Sequence, residues 1–356
     1  MNAVVRRPAI AVPDHVLTRD GLRHAIREVL GEEFPHLRRL DRIVERSGIE
    51  RRHLVRSLTE TLQGGTFGER NAIFARESLR LAERAARAAL ADADVRADEI
   101  DLLITTSCTG IMIPSLCAYL TPVLGCRPDT KRLPITELGC AAGTAALSRA
   151  REYVAAHPTG TVLIVAHELC SLTFQTGDRS MQAIVGAMLF GDGAAAAVVQ
   201  GDPDGCRPGL RLDANASHLF PNSLEYMGFD VRDTGLHLVL DKGIPGAVEP
   251  HIRPAIEAFL AGRSLGRKDI DFFCLHPGGR KILDELARVF ALEPEALQAS
   301  HDCLAEVGNL SSASILVVLQ NVFDRYRPRA GDTGLVTAFG PGFSAEMLVG
   351  TWQEAA

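Results

Sequence analysis

The chain has 356 residues, 46% apolar and 23% charged, with a formal net charge of -6. That suffices for one large or two medium domains with an ample core, and the mild acidity gives no reason to expect nucleic acid or an anionic membrane as partner. Eight scattered cysteines with no C-x-x-C pair point to reduced thiols, Met1 to Pro13 has no signal-peptide apolar region, and no run approaches the roughly 20 apolar residues of a membrane span, so a cytoplasmic protein is expected.

In chain order, Thr18 is placed to cap a helix whose Leu22, Ile26, Val29 and Leu30 share one face. A second helix runs from about Leu37 to Ser47 and stops at Gly48. One side of it carries Arg39, Arg42 and Arg46, spaced i, i+3, i+7 along a face. Such a strip suits the phosphates of a nucleotide-like carrier. It reads equally well as a solvated basic face balanced by Asp41 and Glu45. A long helix, about Asn71 to Ala91, then leads into a strand over Ile100 to Thr106.

Here an internal repeat begins. R-A-D-E-I-D-L-L-I-T-T-S from Arg96 has its counterpart in G-R-K-D-I-D-F-F-C-L-H-P from Gly266, and G-T-V-L-I-V-A from Gly160 matches D-T-G-L-V-T-A from Asp332. Each copy alternates helix and buried strand, which predicts a duplicated α/β unit. The join is the turn-rich stretch Gly201-Asp202-Pro203-Asp204-Gly205, dividing the chain into residues 1–205 and 206–356.

Within the first unit, Gly139-Cys140-Ala141-Ala142-Gly143 is a small-residue elbow opening a helical pattern through Ala146, Ala150 and Val154. A cysteine at a helix N-terminus meets unpaired N–H groups and the macrodipole, which favour a thiolate. The alternative is a buried structural cysteine. The register of the repeat makes Asn309 the equivalent of Cys140, since Asp101 to Cys140 is 39 residues and Asp271 to Asn309 is 38. A pseudo-twofold axis would bring both helix starts to a common centre. His276 ends its strand just before Pro277-Gly278-Gly279, where backbone can approach a ligand. Asn309 also reads as a simple N-cap, and His276 as a satisfied loop histidine. Gly191-Asp192-Gly193-Ala194 begins like a dinucleotide fingerprint, but a strand follows where a helix is required. There is no H-E-x-x-H, Walker sequence or paired metal-ligand spacing, so no metal is expected.

Cys140 in G-C-A-A-G, His276 in H-P-G-G, Asn309 in G-N-L-S-S-A and Gly340-Pro341-Gly342 in A-F-G-P-G-F together resemble the type III polyketide synthases, the chalcone synthase-like enzymes. The resemblance covers nearly the whole chain. It implies a thiolase-type five-layer αβαβα fold of two duplicated halves, and a homodimer with an independent Cys-His-Asn site in each subunit. Arg39, Arg42 and Arg46, with Gly278 and Gly279, then fall at CoA-binding positions. Phe190 in L-F-G-D-G matches an aromatic gate between CoA tunnel and cavity. Cys108, Thr109, Cys170, Thr173, Ser311 and Pro341 match cavity-lining positions, and Ile113 matches a residue reaching into the neighbouring subunit's cavity. The second gate, usually phenylalanine, is Leu238, and the first glycine of the family's G-F-G-P-G is Ala338. S-C-T-G around Cys108 looks more like bacterial members, which make pyrones, resorcinols or naphthalene polyols. The implied activity loads an aliphatic acyl-CoA or malonyl-CoA on Cys140 and extends it with malonyl-CoA, the CoA thioesters being substrates and no cofactor being needed. The nearest alternative is a ketoacyl-ACP synthase III making one condensation on a carrier protein. A non-enzymatic thiolase-fold scaffold is the other.

Overall fold

The computed structural model describes residues 2–354. Two short strands, β1 (Ala3–Val5) and β2 (Ala9–Ala11), precede β3 (His15–Thr18). Thr18 caps α1 (Arg19–Leu30), its side chain accepting from the Gly21 N–H. α2 (Leu37–Arg46) buries Leu40 and Val44, and β4 (Arg51–Leu54) returns antiparallel to β3. α3 (Leu58–Gln63) and α4 (Phe67–Ala93) each begin on a reciprocal capping box, Ser57 with Glu60 and Thr66 with Glu69. The second box starts α4 a turn earlier than its apolar spacing predicts.

The chain continues through β5 (Leu102–Ser107), α5 (Leu116–Leu124), β6 (Lys131–Thr136), α6 (Ala142–Ala156), β7 (Thr161–Leu169), α7 (Met181–Leu189) and β8 (Asp192–Gly201). Then come β9 (Gly209–Leu219), the hairpin of β10 (Met227–Arg232) and β11 (Gly235–Leu240), α8 (Arg253–Ala261), β12 (Phe272–Leu275) and α9 (Arg280–Val289). α10 (Gln298–Val307), α11 (Ser314–Asn321), β13 (Thr333–Gly340) and β14 (Ser344–Gln353) complete it.

The strand pairing repeats itself. β5 lies parallel to β7, which runs antiparallel to β8; β12 lies parallel to β13, which runs antiparallel to β14. Asp101 donates its N–H to the Thr161 carbonyl and accepts from the Thr161 N–H, and Asp271 does both with Thr333. The repeat is broken outside β5, where β6 adds a parallel strand. Between β12 and α11 the chain instead forms α9 and α10, so β12 remains an edge. β1 joins the two sets by pairing with both β8 and β9.

Alternation along the strands sorts the core into layers. On β7, Val162, Ile164 and Ala166 face a cluster holding α6 and α11, while Leu163 and Val165 face α4 and α5. On β13 and β14, Val336 and Leu348 join the α6–α11 cluster, and Leu335, Met347 and Val349 face α8 and α9. Helix, sheet, helix, sheet, helix are therefore stacked as five layers, the αβαβα arrangement expected. The two central helices are enclosed on both sides, which is why α6 opens with Ala142-Gly143-Thr144-Ala145-Ala146 and carries no charge until Arg149. Only small side chains let two sheets close on one helix.

Candidate active site

Cys140 lies in one turn of 3-10 helix, Gly139–Ala141, between β6 and α6, and is 6% exposed. Two glycines hold that turn against the second half of the chain. A Cβ on Gly143 would collide with the Ser312 carbonyl, and one on Gly340 with the Leu138 carbonyl and the Ala141 side chain. The cysteine turn, the turn at Ser311–Ala313 that opens α11, and the end of β13 are thus in direct backbone contact.

The sulfur of Cys140 lies 3.6 Å from Ser311 Oγ, which also lies 3.5 Å from Cys108 Sγ. Asn309 acts as a cap, one of its two readings: its Oδ1 accepts from the Ser311 N–H at 2.8 Å, on the residue whose Oγ meets the Cys140 sulfur. The Asn309 backbone is clamped to the gate, its N–H donating to the Leu189 carbonyl and its carbonyl accepting from Gly191. Ser311 holds φ at 47°, a left-handed conformation rare outside glycine, at the centre of the group.

His276 follows β12, its N–H donating to the Thr337 carbonyl of β13, the strand whose far end abuts the cysteine turn. It is 2% exposed, and neither ring nitrogen has a partner among the described residues. It is not a satisfied loop histidine, since neither ring nitrogen is met by protein. Gly278 packs beside the ring, and Gly279 begins α9 near Leu189.

Burial changes the ionisation expected from the elbow. Desolvation pushes the Cys140 thiol up to about 12, against hydrogen bonds from Ser311 and Asn309 that favour the thiolate. Desolvation likewise carries the His276 imidazole down to about 3. Burial thus opposes charge on each of the two side chains taken singly.

Cys140 and Ser311 border one cavity with an empty volume of about 1400 Å³, part of it open to solvent, and a largely apolar lining. Cys108, Thr109, Cys140, Cys170, Thr173, Ser311 and Pro341 all reach it, as do Phe190 and Leu238. It extends beyond Phe190 to apolar side chains of α1 and α3, including Leu22, Ile26 and Leu58. Ile113 is elsewhere, 92% exposed on the loop before α5. Arg39, Arg42 and Arg46 form no ion pair among the described residues, because the carboxylates that might balance them face α1: Asp41 pairs with Arg27 at 2.6 Å and Glu45 with Arg23. Among the described residues no three His, Cys, Asp or Glu side chains meet as a metal site requires.

Three buried residues that brace the loops around the cavity escaped the sequence reading. Glu168 is fully buried and accepts from Thr109 Oγ1 at 2.8 Å, Ser312 Oγ at 2.6 Å and the Cys108 N–H at 3.1 Å, tying together loops from both halves of the chain. Arg52, also buried, donates to the carbonyls of Phe190, at 2.7 Å, and Ala187. Asp192 accepts from the N–H groups of Val55 and Ser171, and burial raises its pKa to about 6. The A-H-E-L run after a buried strand was the one available hint for Glu168.

Fold and site together define a condensing enzyme built on a duplicated α/β core with a buried thiol at its centre. Family models match nearly the whole chain: chalcone and stilbene synthases, N-terminal domain, over residues 2–203, and the C-terminal domain over residues 211–351. The chain belongs to the chalcone and stilbene synthase family, the type III polyketide synthases, acyltransferases that perform decarboxylative condensation. It is 38% identical to a 1,3,6,8-tetrahydroxynaphthalene synthase of Streptomyces coelicolor, over 99% of this chain and 93% of that one. It is 36% identical to a phloroglucinol synthase of Pseudomonas fluorescens, over 97% and 98%. The crystal structure of the Streptomyces coelicolor tetrahydroxynaphthalene synthase superposes with a TM-score of 0.95 at 38% identity, covering 99% of this chain and 100% of that one.

Proposed function

We propose that Cys140 is the acyl acceptor, that His276 moves its proton, and that Asn309 and His276 stabilise the enolate during iterative extension by malonyl-CoA. The observation that carries this reading is the meeting of Cys140 and Ser311 at the wall of an apolar cavity, with Asn309 bonded to the Ser311 N–H. As the sulfur attacks the starter thioester, its proton passes to His276, and the imidazolium returns it to the departing CoA thiolate. Malonyl-CoA then loses CO2, leaving an enolate whose charge grows on the thioester oxygen. Asn309 is pre-aimed by the bond its Oδ1 makes, so its amide N–H meets that charge without reorganising. The enolate carbon attacks the acyl carbonyl, the C–S bond breaks, and the thiolate is freed for the next round.

The largely aliphatic cavity, with Leu238 at the second gate, favours an alkyl acyl-CoA or malonyl-CoA starter, and a pyrone, resorcinol or polyhydroxy-aromatic product. The uncompensated strip of Arg39, Arg42 and Arg46 is suited to the CoA phosphates, and Gly278 and Gly279 to a close approach of the carrier to backbone. No cofactor is required. The active species is a homodimer: β6 is a sheet edge with alternating exposed residues, and Ile113 and Leu138 stand exposed near it, available to a second copy. No helix among the described residues is long and apolar enough to cross a membrane, in keeping with a cytoplasmic enzyme.

The test is intact-protein mass spectrometry after incubation with hexanoyl-CoA, then with malonyl-CoA added. Acyl mass appears on wild type and not on Cys140→Ala, and free products follow without carrier protein. An unacylated wild type would return the chain to the scaffold reading.

A further inference from the structure

The β10–β11 hairpin pairs with no other strand among the described residues, yet it carries one wall of the cavity: Met227, Phe229, Leu238 and Leu240 line it. In a two-stranded antiparallel ribbon every second residue turns its N–H and C=O away from the partner strand. On β11 and the turn before it, three successive outward carbonyls are each met by a side chain from a different element. Thr234 accepts from Arg70 Nη2 of α4 at 2.6 Å, Leu236 from Gln175 Nε2 at 3.1 Å, and Leu238 from Gln182 Nε2 of α7 at 2.7 Å. Two of these donors also hold the facing wall. Arg70 also donates to the Leu172 carbonyl at 2.8 Å, and Gln175 to the Thr173 carbonyl at 3.1 Å.

We propose that Arg70, Gln175 and Gln182 set the width of the gate. They take the place of a missing third strand, fix the distance of Leu238 and Phe229 from the Cys170–Thr173 wall, and so select starter size. They are positioning residues, and none touches the reacting atoms. The assignment rests on the acyl-transfer reading of the cavity given above.

Gln182→Met keeps side-chain length and removes the donor. One neutral hydrogen bond shifts an equilibrium by about fivefold. Amide hydrogen exchange across residues 227–240, read on unliganded protein, is expected to quicken by about that factor. Acylation of Cys140 by hexanoyl-CoA is expected to stay at the wild-type rate. In a one-tube competition of hexanoyl-CoA and decanoyl-CoA with malonyl-CoA, the decanoyl-derived share should rise by a comparable factor. Gln175→Met, from a separate segment, should act in the same direction and covers the case in which Gln182→Met folds poorly. Unchanged exchange in both variants overturns the ladder as the hairpin's support. Quickened exchange with an unchanged product ratio overturns its part in specificity. Wild type giving no product from any starter overturns the acyl-transfer reading and the selectivity that rests on it; the exchange measurement, made without substrate, tells that failure apart.

Discussion

Gly186 offers a way to narrow the cavity without altering any residue that contacts the reacting atoms. It sits on the buried face of α7 in ordinary helical conformation, so alanine meets no backbone penalty and gains about 0.8–1 kcal/mol of helix propensity. A Cβ placed there falls well inside contact with Leu238 Cδ2 yet stands 3.8 Å from Leu238 Cγ. Only the methyl tip has to give way, by about 1.2–1.7 Å, to recover a normal carbon–carbon separation. An off-rotamer χ of about 30° costs roughly 0.5–1.5 kcal/mol. The two effects offset one another, and the free energy of unfolding of Gly186→Ala should lie within about 1 kcal/mol of wild type. The displaced methyl occupies cavity space. Each starter methylene that loses its contact weakens binding by about 0.8 kcal/mol, close to fourfold, so two lost methylenes give roughly fifteenfold. Hexanoyl-CoA should therefore gain on decanoyl-CoA in one-tube competition, with urea titration reporting stability in parallel. A stable variant with the wild-type product ratio would refute Leu238 as a wall of the starter site. A loss above about 3 kcal/mol would show that the tip cannot move and that the shape argument is wrong.

Asn309→Ala is expected to lower malonyl-CoA decarboxylation by about 10²–10³ while Cys140 still accepts an acyl group, with about 1 kcal/mol lost from the turn its Oδ1 caps; loss of loading with decarboxylation intact would reverse the roles. Stability should fall with acidity. His276 and His167 are both held neutral by burial, to about 3 against the ordinary 6.5, so the unfolded chain binds more protons once pH drops below 6.5. From pH 7 to pH 5.5 the two together remove about 2.5 kcal/mol. Asp192, raised to about 6, takes up a proton in the folded state over the same interval and returns about 0.8 kcal/mol. Urea midpoints that do not move between these pH values would show that the two imidazoles are not kept neutral.

What the sequence disclosed was whatever depends on near neighbours or on a repeated register. Thr18 and its helix, the small-residue elbow at Cys140, and the matched aspartates Asp101 and Asp271 are all local or periodic signals, and each appears in the structure. The Thr66–Glu69 capping box was equally local and fixes the true start of α4. The alternation of Leu236, Leu238 and Leu240 after Asp233-Thr234-Gly235 carries the hairpin in plain form, though nothing in it says what the hairpin packs against. Glu168, Arg52 and Asp192 lie beyond such reading. Each is defined by partners far away in sequence, Glu168 by Ser312 and Arg52 by Phe190, and only the folded chain makes them neighbours. The ionisation of Cys140 belongs with them. A helix start argues for thiolate, but the amount of water left around the sulfur is set by both sheets.

That lack of water accounts for the kind of catalyst this is. Burial penalises charge on Cys140 or His276 taken singly, so desolvation has to be offset wherever charge forms there. On the mechanism proposed above, the groups that stabilise such charge are dipoles fixed beforehand, Asn309 by the Ser311 N–H and Ser311 by a strained backbone. Glu168 fits the same scheme only as a brace. A free carboxylate so near the sulfur would oppose the thiolate, and it does raise the Cys140 pKa. Its oxygens are instead taken up by Thr109, Ser312 and the Cys108 N–H, whose loops bring Cys108 and Ser311 to the sulfur. On the same mechanism, so apolar a cavity limits water at the acyl thioester and at the enolate, the two species that iterative condensation has to protect.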